Sequence, residues 1–86
     1  MGNFPGKGIP MDAFKAIRHS LEAMGYDPSE FAIESNKVSG QDLVYEASSP
    51  SRGMSVSARI TRESGNWRVT ADIETTAHSF KRNVSL

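Results

Sequence analysis

Few side chains in this 86-residue sequence suit acid-base, nucleophilic or metal chemistry. Its two histidines, His19 and His78, are far apart in the sequence and do not form the i, i+4 histidine pair of helical zinc sites, and cysteine is absent. Serine is plentiful, but no G-x-S-x-G stretch brings it near a histidine and an acid. We therefore predict no catalytic residue, no metal site and no cofactor, and we expect a protein that is not an enzyme.

The opening segment also lacks a recognisable binding motif. Its "GKG" at 6–8 does not have the glycine spacing, or the Ser or Thr after the lysine, that a phosphate-binding loop requires. Three glycines and two prolines in the first ten residues disfavour regular structure. We predict a flexible arm at 1–9 and no small-molecule substrate.

Basic side chains are the remaining candidates for contact with a partner. The chain has ten basic and ten acidic residues, but 1–46 carry a net charge of −3 and 47–86 a net charge of +3. This asymmetry is compatible with a surface for an acidic partner and also with ordinary solvated surface. The predicted contact set combines basic, threonine and aromatic residues of the second half: Arg52, Arg59, Thr61, Arg62, Arg68, Thr70, Phe80, Lys81 and Arg82.

The first element that the hydrophobic pattern predicts is a helix from Pro10 to Met24. Apolar residues recur at steps of three and four and form one stripe: Phe14, Ile17, Leu21 and Met24. Pro10 suits the first helical position, and Asp12 places a negative charge in the first turn. Gly25 is expected to end the helix in the left-handed conformation, with Tyr26 packing back on Leu21.

Residues 27–53 give a mixed signal. Asp27, Pro28 and Glu30 resemble a capping box for a short helix, whereas Phe31 and Ile33 alternate like a strand, which we favour at 28–35. "NKVSGQD" at 36–42 is turn-like, "LVYEA" at 43–47 is rich in strand formers, and "SSPSRG" at 48–53 interrupts the chain.

Residues 54–75 predict a β-hairpin. Even-numbered positions are apolar on the first arm and odd-numbered positions on the second, so the loop must contain an even number of residues: Ser64-Gly65 or the four residues 63–66. The shorter loop places Ala58 opposite Ala71. Two small residues flanked by larger ones form a shallow trough, and the helix is expected to pack in it. The other face carries Ser, Thr and charged side chains. On it Arg59 lies opposite Thr70 and diagonal to Asp72, and Thr61 lies opposite Arg68.

The predicted fold is α+β, with one N-terminal helix packed on an antiparallel three- or four-stranded meander in a single domain, residues 10–75. In the tail, residues 76–86, Ala77, Phe80 and Val84 have helical spacing with Thr76 as a cap, so a short C-terminal helix and a loose tail are both open. No apolar run is long enough to span a bilayer and no cysteine is present, so we expect a cytoplasmic protein.

These features favour a small non-catalytic domain that binds another protein, as a regulator, inhibitor or adaptor, or that binds a second copy through the sheet. A free sheet edge can add a strand from a partner. The alternative is a nucleic-acid-binding domain that uses the arginine-bearing strand face and the basic tail. The neutral net charge and the lack of an aromatic residue on that face argue against the alternative.

Overall fold

The computed structural model describes residues 13–63 and 65–85 and has one helix packed on a five-stranded sheet. The elements are α1 (Ala13–Ala23), a 3-10 turn (Pro28–Glu30), β1 (Ala32–Ser39), β2 (Asp42–Ser49), a 3-10 turn (Pro50–Arg52), β3 (Met54–Glu63), β4 (Asn66–Thr75) and β5 (Ser79–Ser85). The strands are antiparallel and lie in chain order. The α+β class and the meander are confirmed, but the sheet has five strands rather than three or four.

Helix α1 ends as its sequence predicts. Gly25 adopts a φ of 92°, and the amides of Gly25 and Tyr26 donate to the carbonyls of Glu22 and Leu21, both at 2.9 Å. This pattern is a Schellman motif, in which a left-handed glycine lets the chain reverse and pair the last carbonyls. Tyr26 then packs against the core. The predicted arm at 1–9 and the positions of Pro10 and Asp12 lie outside the described residues.

The buried face of α1 differs from the predicted stripe at one position. Ile17, Leu21 and Met24 are buried as expected, but Phe14 is 59% exposed. Ala16 and Ser20 are buried instead, so the centre of the buried face lies about 90° around the helix from Phe14 at 100° per residue. The buried face of the helix therefore combines three large apolar side chains with the small residues Ala16 and Ser20, and the prediction that Phe14 belongs to the core is wrong.

Residues 27–42 form both a short helical turn and a strand, the two alternatives that the sequence left open. Asp27 caps the 3-10 turn at Pro28–Glu30, accepting hydrogen bonds from the amide and the hydroxyl of Ser29 at 3.0 and 2.7 Å. The hydroxyl bond first, and then the amide bond, lower the pKa of the Asp27 carboxyl below its ordinary value.

Strand β1 is longer than predicted, because 36–39 belong to it and only Gly40 and Gln41 connect it to β2. The predicted turn at 36–42 was therefore too wide. A register shift between Ile33 and Ser35 moves the later residues of β1 by one position relative to β2. Because β1 is an edge strand and almost wholly exposed, it needs no regular alternation of apolar residues, which is why the pattern did not reveal its second half.

The β3–β4 hairpin has the predicted register. Ala58 pairs with Ala71, Ile60 with Val69, and Val56 with Ile73, all of them buried. The strands end at the pair formed by Glu63 and Asn66, which corresponds to the shorter loop. Ala58 and Ala71 belong to the same buried cluster as the helix residues Ala16 and Ile17, as expected of a trough that receives the helix.

Tyr45 fills the core beside the alanine pair. It is opposite Ala58 on β2 and has no exposed surface, and its hydroxyl lies 2.6 Å from Ser20 Oγ on α1. Ser20 Oγ also donates to the carbonyl of Ile17 at 2.8 Å. Burial raises the pKa of Tyr45 to about 12, although the Ser20 hydrogen bond opposes this shift.

The C-terminal residues form strand β5 instead of the short helix or loose tail that the sequence left open. Phe80 and Val84 are four positions apart, a spacing that places two side chains on one face of a helix and also on one face of a strand. In the structure they lie opposite Ile73 and Val69 of β4. The turn before β5 is capped by Thr75 rather than Thr76, since Thr75 Oγ1 accepts from the amides of Ala77 and His78.

Candidate functional site

One face of the sheet carries α1, and the other, here called the open face, is polar. The only α-helix among residues 13–63 and 65–85 packs on the opposite side. Positions of the open face alternate along the strands with those of the helix-bearing side and include Ser35, Lys37, Ser39, Asp42, Val44, Glu46, Ser48, Ser55, Ser57, Arg59, Thr61, Arg68, Thr70, Asp72, Glu74, Ser79, Lys81, Asn83 and Ser85. It is a rigid surface whose side chains are placed by strand register.

The charges of the open face are separated along the strands. One cross-strand row contains Glu46, Ser57, Asp72 and Lys81, and the adjacent row towards the β2–β3 connection contains Ser48, Ser55, Glu74 and Ser79. Glu34, which accepts a hydrogen bond from Ser48 Oγ at 2.7 Å, adds a further carboxylate there. We call this part of the face the acidic end.

The opposite part of the open face, here called the basic end, carries mainly cations. Lys37 pairs with Val44, which pairs with Arg59, and Arg68 follows in the next row opposite Thr61. Asp42 also lies at this end and forms an ion pair with Arg59, with 2.5 Å between Nη1 and Oδ2.

Close contacts across the open face involve neighbouring strands. Besides the Arg59–Asp42 pair, Lys81 Nζ lies 3.4 Å from Asp72 Oδ1, and Thr70 Oγ1 donates to Asn83 Oδ1 at 2.9 Å. Arg59 does lie opposite Thr70, and Thr61 opposite Arg68, as predicted. The ionic partner of Arg59, however, is Asp42 on β2 instead of the diagonal Asp72, because Asp72 pairs with Lys81 on a strand that the sequence did not predict.

The structure divides the predicted contact set among three places. Five of its members lie on the open face: Arg59, Thr61, Arg68, Thr70 and Lys81. Three members lie on the helix-bearing side of the sheet: Arg62, Phe80 and Arg82. Arg62 on β3 is opposite Trp67 on β4. Arg52 lies in a 3-10 turn and forms an ion pair with Glu30 at 2.5 Å, joining that turn to the one before β1.

Arg82 and Phe80 have local aromatic neighbours on the helix-bearing side. The guanidinium carbon of Arg82 lies 5.7 Å from the centre of the Tyr26 ring, within cation–π range. Phe80 lies 5.3 Å from the ring of His78 and is 37% exposed. Arg82 and Phe80 therefore lie on the opposite side of the sheet from Arg59 and Arg68. The structure does not combine the predicted basic residues into one basic patch.

Two open depressions lie on the open face around Ser57 and Asp72. The larger, about 440 Å³, includes Glu74 and Lys81 in its lining, and the smaller, about 330 Å³, includes Arg59. These depressions form because the serine side chains in the middle of the sheet are short and the charged side chains around them are longer. The surface therefore offers short hydroxyl groups between opposite charges.

Sequence reasoning missed part of this site. It did not include the carboxylates Asp42, Glu46, Asp72 and Glu74 among the contact residues, because it selected basic, threonine and aromatic side chains as the binding groups. It also placed Lys37 in a turn. Once β1 and β5 are known as strands, their alternation with the neighbouring strands places Lys37 and Lys81 on the open face.

Within residues 13–63 and 65–85, no three His, Cys, Asp or Glu side chains are grouped so that they could hold a metal ion. In the same part of the chain, no helix has the length and apolar character needed to cross a membrane. The sequence matches no protein-family model, no curated protein and no solved structure.

Proposed function

We propose that this chain is a non-catalytic domain that binds another protein through the open face of its sheet. The observation that carries the proposal is the separation of charge on that face, with an acidic end around Glu46 and Glu74 and a basic end around Arg59 and Arg68. A partner with the opposite arrangement of charges would be steered to it in one orientation. The serines between the two ends allow close approach and can donate or accept hydrogen bonds.

The same arrangement favours a protein over nucleic acid. Phosphates carry only negative charge, so a strand lying along the face would meet the acidic end as well as the basic one. Arg59 is already paired with Asp42, and Lys81 lies beside Asp72. Among the described strand residues, none on this face is an aromatic of the kind on which sheet-based RNA readers stack bases, because Tyr45, Trp67 and Phe80 all lie on the helix-bearing side.

Charge reversal at the acidic end tests this proposal. Immobilised wild-type protein and the Glu74→Lys variant would be exposed to extract of the source cell, with Glu22→Lys as the matched control. Glu74 and Glu22 are both exposed, but Glu22 lies on the helix. We expect a specific set of proteins on the wild type and on Glu22→Lys that is depleted at least several-fold on Glu74→Lys.

Two results of this experiment would overturn the proposal. One is an unchanged set of proteins on Glu74→Lys, which would place the contact elsewhere. The other is retained material that nuclease releases and whose binding falls steeply with salt, which would favour the nucleic-acid alternative.

A further inference from the structure

The outer edge of β5 has the properties of an unprotected sheet edge. All seven residues, Ser79–Ser85, pair with β4 in continuous register. No strand among residues 13–63 and 65–85 pairs with the other side of β5, since β5 is last in the sheet order. Its outward amides and carbonyls are therefore available to a further strand.

The other edge of the sheet differs in this respect. In β1 the register shifts between Ile33 and Ser35, an irregularity of the kind that interrupts pairing and turns a strand away from its neighbour. Proline and a bulge, two of the features that block strand addition, are both missing from β5, although it does carry the charged residues Lys81 and Arg82. Of the two edges, β5 is the better template.

The sequence of β5 indicates which strand it accepts. It reads S-F-K-R-N-V-S and is close to palindromic in chemical type around Arg82. We propose that two copies of this chain pair through β5, antiparallel about a two-fold axis at Arg82, so that the two sheets become one. This interface uses the backbone edge of β5 and not the surface that the open-face side chains present, so the inference does not depend on the proposed function.

This register satisfies the requirements of antiparallel pairing. Opposite residues must lie on the same face, so the pairing must be centred on a residue, and a centre at Arg82 uses the whole strand. It places Ser79 opposite Ser85 of the second copy and Lys81 opposite Asn83. On the helix-bearing side it places Phe80, which is 37% exposed, opposite Val84 of the second copy.

The charges of β5 are partly compensated within one chain. Lys81 lies 3.4 Å from Asp72, and the Arg82 guanidinium lies over the Tyr26 ring. In the proposed register Lys81 meets an asparagine, and only Arg82 meets its own symmetry mate. A shared strand about 24 Å long forms a small interface, so we expect a weak dimer whose population rises with concentration.

Disulfide trapping tests this register, because the chain contains no cysteine of its own. Directly opposite residues of an antiparallel pair have Cα atoms about 4.5–5.5 Å apart, within the range that a disulfide spans. Arg82→Cys should therefore form a covalent dimer under mild oxidation. Ser79→Cys alone should not, because the two copies of residue 79 would be about 20 Å apart at 3.4 Å per residue.

A mixed experiment provides the second test and does not disturb the Arg82–Tyr26 contact. Ser79→Cys and Ser85→Cys should each remain uncrosslinked alone and form a heterodimer when mixed, because these exposed positions oppose each other only between copies. Glu22→Cys on the helix sets the rate of random collision. The inference is overturned if neither Arg82→Cys nor the mixture exceeds that rate, or if Ser79→Cys alone crosslinks as fast as the mixture.

Discussion

At the residue scale, the Tyr45–Ser20 hydroxyl pair connects the helix to the sheet. Tyr45 is wholly buried, and a buried hydroxyl needs a hydrogen-bond partner to offset the loss of water. Ser20 provides it at 2.6 Å and keeps its own bond to the Ile17 carbonyl. This hydrogen bond joins two residues that are 25 positions apart in the sequence. It therefore helps to fix the position of α1 relative to β2.

Alkaline pH should destabilise the fold through Tyr45. Its pKa rises from 10.0 to about 12 on folding, so between these values the folded state keeps a proton that the unfolded state releases. Stability should therefore be complete below pH 10 and fall as the pH rises towards 12. Denaturant unfolding followed across this window measures the effect.

The Tyr45→Phe variant isolates that contribution. At neutral pH it should lose about 1 kcal/mol, the net value of one hydrogen bond, because Ser20 retains its carbonyl partner. It should also lose less stability between pH 10 and 12 than the wild type. An identical alkaline loss in Tyr45→Phe and the wild type would contradict this assignment.

At the scale of elements, the alanine pair of the hairpin fits the helix to the sheet. Ala58 is 4% exposed and Ala71 is fully buried, and both lie in the cluster that includes Ala16 and Ile17 of α1. The two alanines leave space on the sheet for the side chains that α1 buries. Larger side chains at these two positions would have to push the helix away or take strained rotamers.

The Ala58→Leu variant should be less stable than the wild type by about 1–3 kcal/mol, through overpacking beneath the helix. Ser57→Leu adds the same side chain one position away, on the open face, and should change stability by no more than about 0.5 kcal/mol. Chemical denaturation measures both variants. Equal midpoints for Ala58→Leu and the wild type would show that the space under α1 is not limiting.

The sequence predicts the central elements better than the edges. The hairpin register and the C-terminal end of α1 follow from alternation and from Gly25, and both are confirmed. Strands β1 and β5 were missed in whole or in part because edge strands bury few side chains and need no strong pattern. Phe14 was assigned to the wrong face because the spacing of apolar residues fixes the direction of a helix's buried face only to within about 100°, the rotation between adjacent residues.

At the scale of the whole molecule, the distribution of charge along the chain does not predict its distribution on the surface. The first half of the sequence is acidic and the second basic, yet the acidic end of the open face includes Asp72 and Glu74 from the second half. Likewise the basic end includes Lys37 from the first half. The pairing of the strands produces the separation of charge. The positions of the acidic and basic ends could therefore not be predicted from the composition of the two halves of the chain.

That surface can be probed without a known partner. A photo-crosslinking amino acid at Ser57, in the middle of the open face, reports on proteins that contact it in the source cell. The same amino acid at Glu22, exposed on the helix, is the matched control.

Photo-crosslinking at these two positions tests the central claim most directly. We predict discrete covalent adducts with another protein from position 57 and none, or far weaker ones, from position 22. Equal adducts from both positions, or adducts from position 22 alone, would contradict the claim that the open face is the binding surface.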